Sequence, residues 1–362
     1  MAFNLAMYPV SYVAQYNSQT GNWDEQWFQP DSITYTELMK MDEAQRNEVY
    51  TNRNRFPLPL VNYTTQYALG CFEGMKAYPR KDGSLAIFRP DRNAKRFRDS
   101  MAGLYAPAFP EDLYLKASHE FLKRNRELGY IPAYSAEWEK DTFASASAVY
   151  MRPFMYSEGA IGIGMSKAPY VVICATTVSS YFKGSNTKAI ITDRIRATPR
   201  GTGWIKCASN YVVSALAKKE AEDAGFMEVL YLDATKRKYL EEGSSCNVFF
   251  RLKSGELVTP ELGDTILPGI TRSSIIELAR SEGLRVSERK ISMKEVAAKC
   301  VECFVTGTAA GITPIESITW KGREYVFNNR TPGELGKRLQ AHLKGIQYGT
   351  EPDTFNWSVL VD

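Results

Sequence analysis

Residues 170–178 read YVVICATTV, nine uncharged positions rich in β-branched side chains, which predicts a buried strand. Upstream, GCFEGMKAYPRKDGSLAIFR (70–89) reads as two strands joined at Asp82-Gly83, a dipeptide suited to a hairpin turn. The period then changes. RPDRNAKRFRDSMAGL predicts a helix with Pro90 in its first turn, Asp91 near its positive end and Gly103 at its exit. SALAKKEAEDAGF (214–226) predicts a second helix, laced with Glu/Lys pairs and stopping at Gly225. EVLYLD and CNVFFR follow as strands, and KSGE as a hairpin turn. LPGITRSSIIELARSEGL (267–284) predicts a helix with Thr271 as N-cap, Gly283 as stop and Ile275, Ile276 and Ala279 on one apolar stripe. ECFVTGTAAGITPI is a strand running into a Thr/Ala/Gly turn.

Strands and helices mix in both halves without the regular alternation of a doubly wound sheet, so the expected fold class is α+β (mixed α/β). A chain of 362 residues exceeds the roughly 250–300 at which single cores stop growing, which favours two domains. The shift to small and polar residues after 178 suggests residues 1–181 as one domain, 182–192 as linker and 193–362 as the other.

Composition narrows the chemistry mainly by exclusion. The net charge of +4 is spread without a basic run, so nucleic-acid binding is not indicated. The start, MAFNLAMYPVSYV, lacks a basic region and a cleavage site, and no apolar run approaches the ~20 residues of a membrane span. A cytoplasmic protein is expected. Cys300 and Cys303 form one C-x-x-C with no second pair and no nearby His, so they read as thiols on a half-buried strand and no metal site is expected. With only His119 and His342 present, Ser-His-Asp catalysis has almost no basis. Neither G-x-G-x-x-G after a strand nor a P-loop occurs. The reactive groups must be Lys, Tyr, Arg, Glu or a cofactor.

Four stretches stand out on those terms. GTGWIKCASNY sets Lys206 among small and apolar residues, a setting that favours the neutral amine used in Schiff-base chemistry. YLEEGSSCNVFF places Glu241 and Glu242 at a strand end; alone it reads as a surface turn, and functionally as a carboxylate beside a protonated ring nitrogen. LPGIT opens a helix whose N–H groups and dipole suit an anion, as at any helix start. VTGTAAG offers Thr308 and a Gly-rich backbone, or a plain turn. A phosphate, a ring nitrogen and an aldehyde-reactive amine together describe pyridoxal 5′-phosphate.

In that light the chain resembles the class IV, fold-type IV pyridoxal-phosphate aminotransferases, and within them the branched-chain amino acid aminotransferases. YALGCFEGMKAY, RPDRNAKRF, YMRPF, GTGWIKCASNY, LPGITR, ERKI, VTGTAAGITPI and IQYGTE carry the resemblance across nearly the whole chain. It implies that Lys206 holds the cofactor as a Schiff base and that Glu242 pairs with the pyridine nitrogen, with Glu241 ranked second. It assigns Arg96, Ile270, Thr271 and Thr308 to the phosphate and places Tyr211 and Arg196 near the cofactor. Tyr67, Phe72, Tyr150 and Tyr181 correspond to an aromatic pocket wall, Arg152 to the receiver of a dicarboxylate, and Thr308 with Ala309 to the turn that takes the α-carboxylate. Departures exist: Ser209 stands where Gly is usual, Gly243-Ser244-Ser245 replaces a Val-Gly-Thr run, and Ala310 and Thr313 occupy the places of a C-x-x-C redox pair found elsewhere in the family.

The resemblance implies transamination of Leu, Ile and Val with 2-oxoglutarate to give 2-oxo acids and L-glutamate. It also implies a smaller N-terminal domain, a larger C-terminal one, the cofactor between them, and at least a homodimer. D-amino acid aminotransferases and aminodeoxychorismate lyases of the same fold are the alternatives. The first of these normally carries an Arg-x-His pair, for which Tyr150-x-Arg152 is a poor match. A non-catalytic binding protein is disfavoured by Lys206 and Glu242 together.

Overall fold

The structure, a computed structural model, describes residues 5–179 and 187–362. The chain forms two compact units: Met1–Ser180 with Cys207–Ser209 and Gly345–Asp362, and Tyr181–Lys206 with Asn210–Lys344.

In the first unit, the described strands make one seven-stranded antiparallel sheet, ordered Ser358–Val361, Leu85–Phe88, Met75–Pro79, Ala148–Tyr156, Tyr170–Val178, Ser11–Asn17, Asn22–Phe28. The uncharged strand at 170–178 lies between two neighbours, which explains its composition. The Asp82-Gly83 turn forms as expected: Asp82 accepts from the Ser84 N–H at 2.9 Å, and Gly83 takes φ +83°. The helix Pro90–Gly103 follows and buries Asn93, Ala94, Arg96, Phe97, Ser100 and Met101, a stripe at helical spacing. Three polar residues on that stripe, Asn93, Arg96 and Ser100, need buried partners.

The final strand, Ser358–Val361, pairs with Leu85–Phe88, so the C-terminal residues belong to the first unit. The expectation of a single 193–362 domain is corrected on this point, and the first unit is the larger of the two. Hydrogen bonding along a sheet edge decided this, and no local pattern records it.

The second unit carries a ten-stranded mixed sheet among its described residues. Lys188–Ile191 runs parallel to both Glu228–Leu232 and Ser317–Trp320, with Ala189 fully buried. The expected linker at 182–192 is therefore a strand in its described part from Lys188; a short β-branched run became regular because it found a partner on each side. Leu240–Gly243 and Asn247–Leu252 form a tight hairpin around Ser244-Ser245, closed by the Gly243 N–H on the Cys246 carbonyl at 2.7 Å. Asn247–Leu252 also pairs with Cys300–Gly307, which sets Phe249 opposite Phe304 with stacked rings 5.3 Å apart. Each buried ring contributes roughly 1.5–3 kcal/mol. Cys300 and Cys303 sit on that second strand as free thiols, half-buried and buried respectively.

The helix Asn210–Asp223 begins at Asn210 rather than 214. The helix Ile270–Ser281 has Gly269, not Thr271, as its N-cap, and no side chain caps it. Thr271 is instead the second helical residue, inside the turn whose N–H groups need outside partners. At the far end Gly283 takes φ +79° as expected. Among the described residues no helix is long and apolar enough to cross a membrane.

Candidate active site

Lys206 ends a loop that folds on itself before the helix Asn210–Asp223 starts. Asn210 closes it, donating to the carbonyls of Thr202 at 2.8 Å and Ile205 at 3.0 Å and accepting from the Thr202 hydroxyl at 2.7 Å. Gly203 is required for the close approach: a Cβ there would lie 2.7 Å from Thr265 Cα. So held, half-buried Lys206 donates from Nζ to the Tyr211 hydroxyl at 2.7 Å.

Glu242 lies on the strand Leu240–Gly243, 4% exposed. Its Oε1 meets Arg196 Nη2 at 2.5 Å and accepts from the Leu267 N–H at 3.2 Å; its Oε2 accepts from Asn247 Nδ2 at 2.9 Å. Burial pushes its carboxyl up to about 7, against the opposing pull of Arg196 and of the Lys206 charge. Successive strand residues face opposite ways. Glu241 accordingly has other company: the Thr265 hydroxyl at 2.6 Å and the charges of Arg196, Asp233 and Asp264. The two adjacent carboxylates thus have different partners: Arg196, Asn247 and the Leu267 N–H on Glu242, and the Thr265 hydroxyl on Glu241.

Arg196 is nearly buried and spreads Nη2 over the Gly203 and Thr265 carbonyls at 3.0 and 2.6 Å, while its Nε is buried with no partner among the described residues. Ile270 and Thr271 open the uncapped helix. Thr308 and Ala309 form the turn between Cys300–Gly307 and Gly311–Ile315. Gln340 fastens this turn by accepting from Ile312 N–H at 2.8 Å and donating to the Ala310 carbonyl at 3.2 Å.

In the first unit, Phe72, Tyr150 and Arg152 come together. Arg152 Nη2 donates to the Tyr150 hydroxyl at 3.0 Å, and its guanidinium lies 4.7 Å from the centre of the Phe72 ring. Gly74 leaves room for this arrangement, since a Cβ there would meet the Tyr150 oxygen at 2.4 Å. Tyr67, the last residue of the helix Tyr63–Tyr67, is 40% exposed. Arg96 is clamped by Glu73, whose two oxygens receive Nε at 2.7 Å and Nη2 at 2.8 Å; Asn93 adds a third donor at 2.7 Å. Tyr181 lies outside the described residues.

The profile of the family described as amino-transferase class IV matches residues 70–318. The chain belongs to the class IV aminotransferases. This aminotransferase is 38% identical over 82% of its length to the probable branched-chain-amino-acid aminotransferase of Staphylococcus aureus, covering 81% of that protein. It is 37% identical over 80% of its length to the branched-chain-amino-acid aminotransferase of Mycobacterium tuberculosis, covering 79% of it. Among solved structures, the T.th. branched-chain amino acid aminotransferase complexed with N-(5′-phosphopyridoxyl)-L-glutamate superposes with a TM-score of 0.69 at 29% identity, covering 86% of this chain and 95% of that one. The mixed α/β, fold-type IV architecture expected from sequence is thus the observed one.

Three residues important to this class IV aminotransferase's geometry were absent from the sequence assignments: Asn247, Glu73 and Gln340. Asn247 was within reach of the pattern, since counting outward from Ser244-Ser245 sets it across from Glu242. Glu73 and Gln340 act over 23 and 28–30 residues, and no local signal marks them.

Proposed function

We propose that this aminotransferase moves the amino group of branched-chain L-amino acids to 2-oxoglutarate, yielding 2-oxo acids and L-glutamate, with pyridoxal 5′-phosphate carried on Lys206. One observation supports it most: an amine oriented by Tyr211 and a buried, triply held carboxylate share a unit with an uncapped helix start. The fit to the cofactor is chemical. The aldehyde needs Lys206, a protonated ring nitrogen needs Glu242, and the phosphate needs the N–H groups of Ile270 and Thr271 with Thr308. Arg196, with its unsatisfied buried Nε, and Tyr211 complete the cofactor set on this side. Arg96 is assigned to the phosphate as well, with Glu73 holding its guanidinium.

When bound, the cofactor supplies an aldehyde that condenses with amines and a cationic ring that stabilises negative charge at Cα. Glu242 is the residue that would hold the ring nitrogen in its protonated form, through a charge-assisted hydrogen bond. Lys206 Nζ, oriented by the Tyr211 hydroxyl, removes the proton from substrate Cα as general base and then delivers a proton as general acid. Thr308 and Ala309 receive the α-carboxylate. Phe72, Tyr150 and Tyr67 would wall the space for an aliphatic side chain, with Tyr181 assigned there by the family resemblance alone; burial of that side chain is worth roughly 1.5–3 kcal/mol. Arg152 offers the 2-oxoglutarate side chain a cation that Tyr150 already orients.

The same reading takes the protein as a cytoplasmic homodimer. The exposed apolar side chains of Leu60 (90% exposed), Ile161 (83%) and Ile163 (91%) are ones a second copy would cover. Light scattering on the purified protein measures the assembly. Borohydride reduction of the yellow holoprotein should leave a pyridoxyl-bearing peptide containing Lys206. L-leucine, L-isoleucine and L-valine should produce glutamate from 2-oxoglutarate. Turnover restricted to D-amino acids, or pyruvate release from aminodeoxychorismate, would replace this function with another of the same fold.

A further inference from the structure

Asn247 stands where two parts of the second unit meet. It is the cross-strand partner of Glu242 and is 5% exposed. Its Nδ2 donates both to Glu242 Oε2 at 2.9 Å and to the Leu267 carbonyl at 3.1 Å. Its Oδ1 lies against Gly269, where a Cβ would come within 2.0 Å of it. One carboxamide therefore touches the acidic strand, the LPG loop and the first residue before the helix Ile270–Ser281.

Counting acceptor sites gives this contact its meaning. A carboxylate offers about four. On Glu242, Arg196 and the Leu267 N–H occupy Oε1, and Asn247 occupies one side of Oε2. Oε2 has room for one more donor. A carboxylate pivots freely about its last bond unless both oxygens are held. Arg196 and Leu267 fix one oxygen, and among the described residues Asn247 alone fixes the other.

Resting on the function proposed above, we propose that Asn247 is a positioning residue: its carboxamide fixes Glu242 against the loop that opens the helix Ile270–Ser281 and so directs the remaining acceptor site of Oε2 to the protonated ring nitrogen of the cofactor. The carboxamide is suited to this because a single NH₂ group bridges carboxylate and carbonyl without adding charge. An aspartate would set a second negative charge beside Glu242, and an aliphatic side chain would leave Oε2 and the Leu267 carbonyl without this donor.

The test uses the holoenzyme reconstituted with pyridoxal phosphate carrying nitrogen-15 in its ring. In wild type the ring nitrogen resonance should be that of the protonated form near neutral pH. Asn247→Leu should shift it toward the unprotonated form and lower kcat/KM by roughly tenfold to a hundredfold, the usual consequence of losing a hydrogen bond to a charged group. In a Glu242→Gln background the same Asn247→Leu change should cost no more than about twofold, because the carboxylate through which it acts is gone. Should Asn247→Leu not yield folded holoenzyme, Asn247→Ser, whose hydroxyl is too short to bridge both partners, carries the same measurements. An unshifted ring resonance in a folded Asn247 variant, or full additivity with Glu242→Gln, overturns the positioning role. A wild-type ring nitrogen that is unprotonated, or no reducible adduct on Lys206, overturns the cofactor reading beneath it.

Discussion

Replacing Glu242 by Gln in the cofactor-free protein probes the electrostatics of the site without any turnover. Burial raises this carboxyl from 4.5 to about 7. Between those values the folded chain retains a proton that the unfolded chain has released. The stability contributed by this proton is fully present below 4.5 and is lost as pH rises to about 7. At 1.36 kcal/mol per unit the whole loss is about 3 kcal/mol, of which roughly 2–3 kcal/mol falls between pH 5 and pH 8. Gln cannot titrate, so its variant should show a pH 5 to pH 8 decline smaller than wild type by that amount. Urea titrations at the two pH values measure it. The constant penalty from leaving Arg196 without its ion pair shifts both points equally and cancels in the comparison. Parallel profiles within about 0.5 kcal/mol would show that Arg196, not burial, governs the group. Saturating cofactor should flatten the wild-type slope, because a cationic ring offsets the cost of burying the carboxylate.

Glu73→Gln should destabilise the first unit by roughly 3–5 kcal/mol in urea unfolding, since it removes the carboxylate charge that meets buried Arg96 and leaves one acceptor oxygen for the donors of Arg96, Asn93 and the Gly74 N–H; a loss under about 1 kcal/mol would make the pair no better than an exposed one. Lys206→Ala should abolish transamination and borohydride trapping while preserving the circular dichroism spectrum, and retained turnover would refute its assignment. Gln340→Ala removes both bonds that fasten the turn after Gly307, so a stability loss of roughly 1–3 kcal/mol and a raised KM for amino donors are expected from calorimetry and steady-state assays.

Much of this protein was decided locally. The Asp82-Gly83 turn, the uncharged strand at 170–178, the Gly283 stop and the strand-turn-strand around Thr308 all follow from residues that touch within a few positions. Lys206, Glu242, Ile270, Thr271 and Thr308 could be proposed from sequence for a related reason, since each sits in a short stretch whose chemistry can be read from its neighbours. Errors arose where a distant segment supplied the partner. Lys188–Ile191 became a strand because it pairs on both sides, and Ser358–Val361 joined the first unit by pairing with Leu85–Phe88. Thr271 lost the N-cap position to Gly269, which lies against the Asn247 carboxamide from another strand. The difference between Glu241 and Glu242 belongs to the tertiary structure too: two adjacent carboxylates are chemically alike along the chain, and only packing pairs Glu242 with Arg196 and Asn247 while giving Glu241 the Thr265 hydroxyl and a weaker share of the Arg196 charge. Sequence determined which reactive groups exist and which turns present them. Tertiary structure decided which are buried, paired and aimed, because burial and hydrogen bonding are properties of segments that meet only in space.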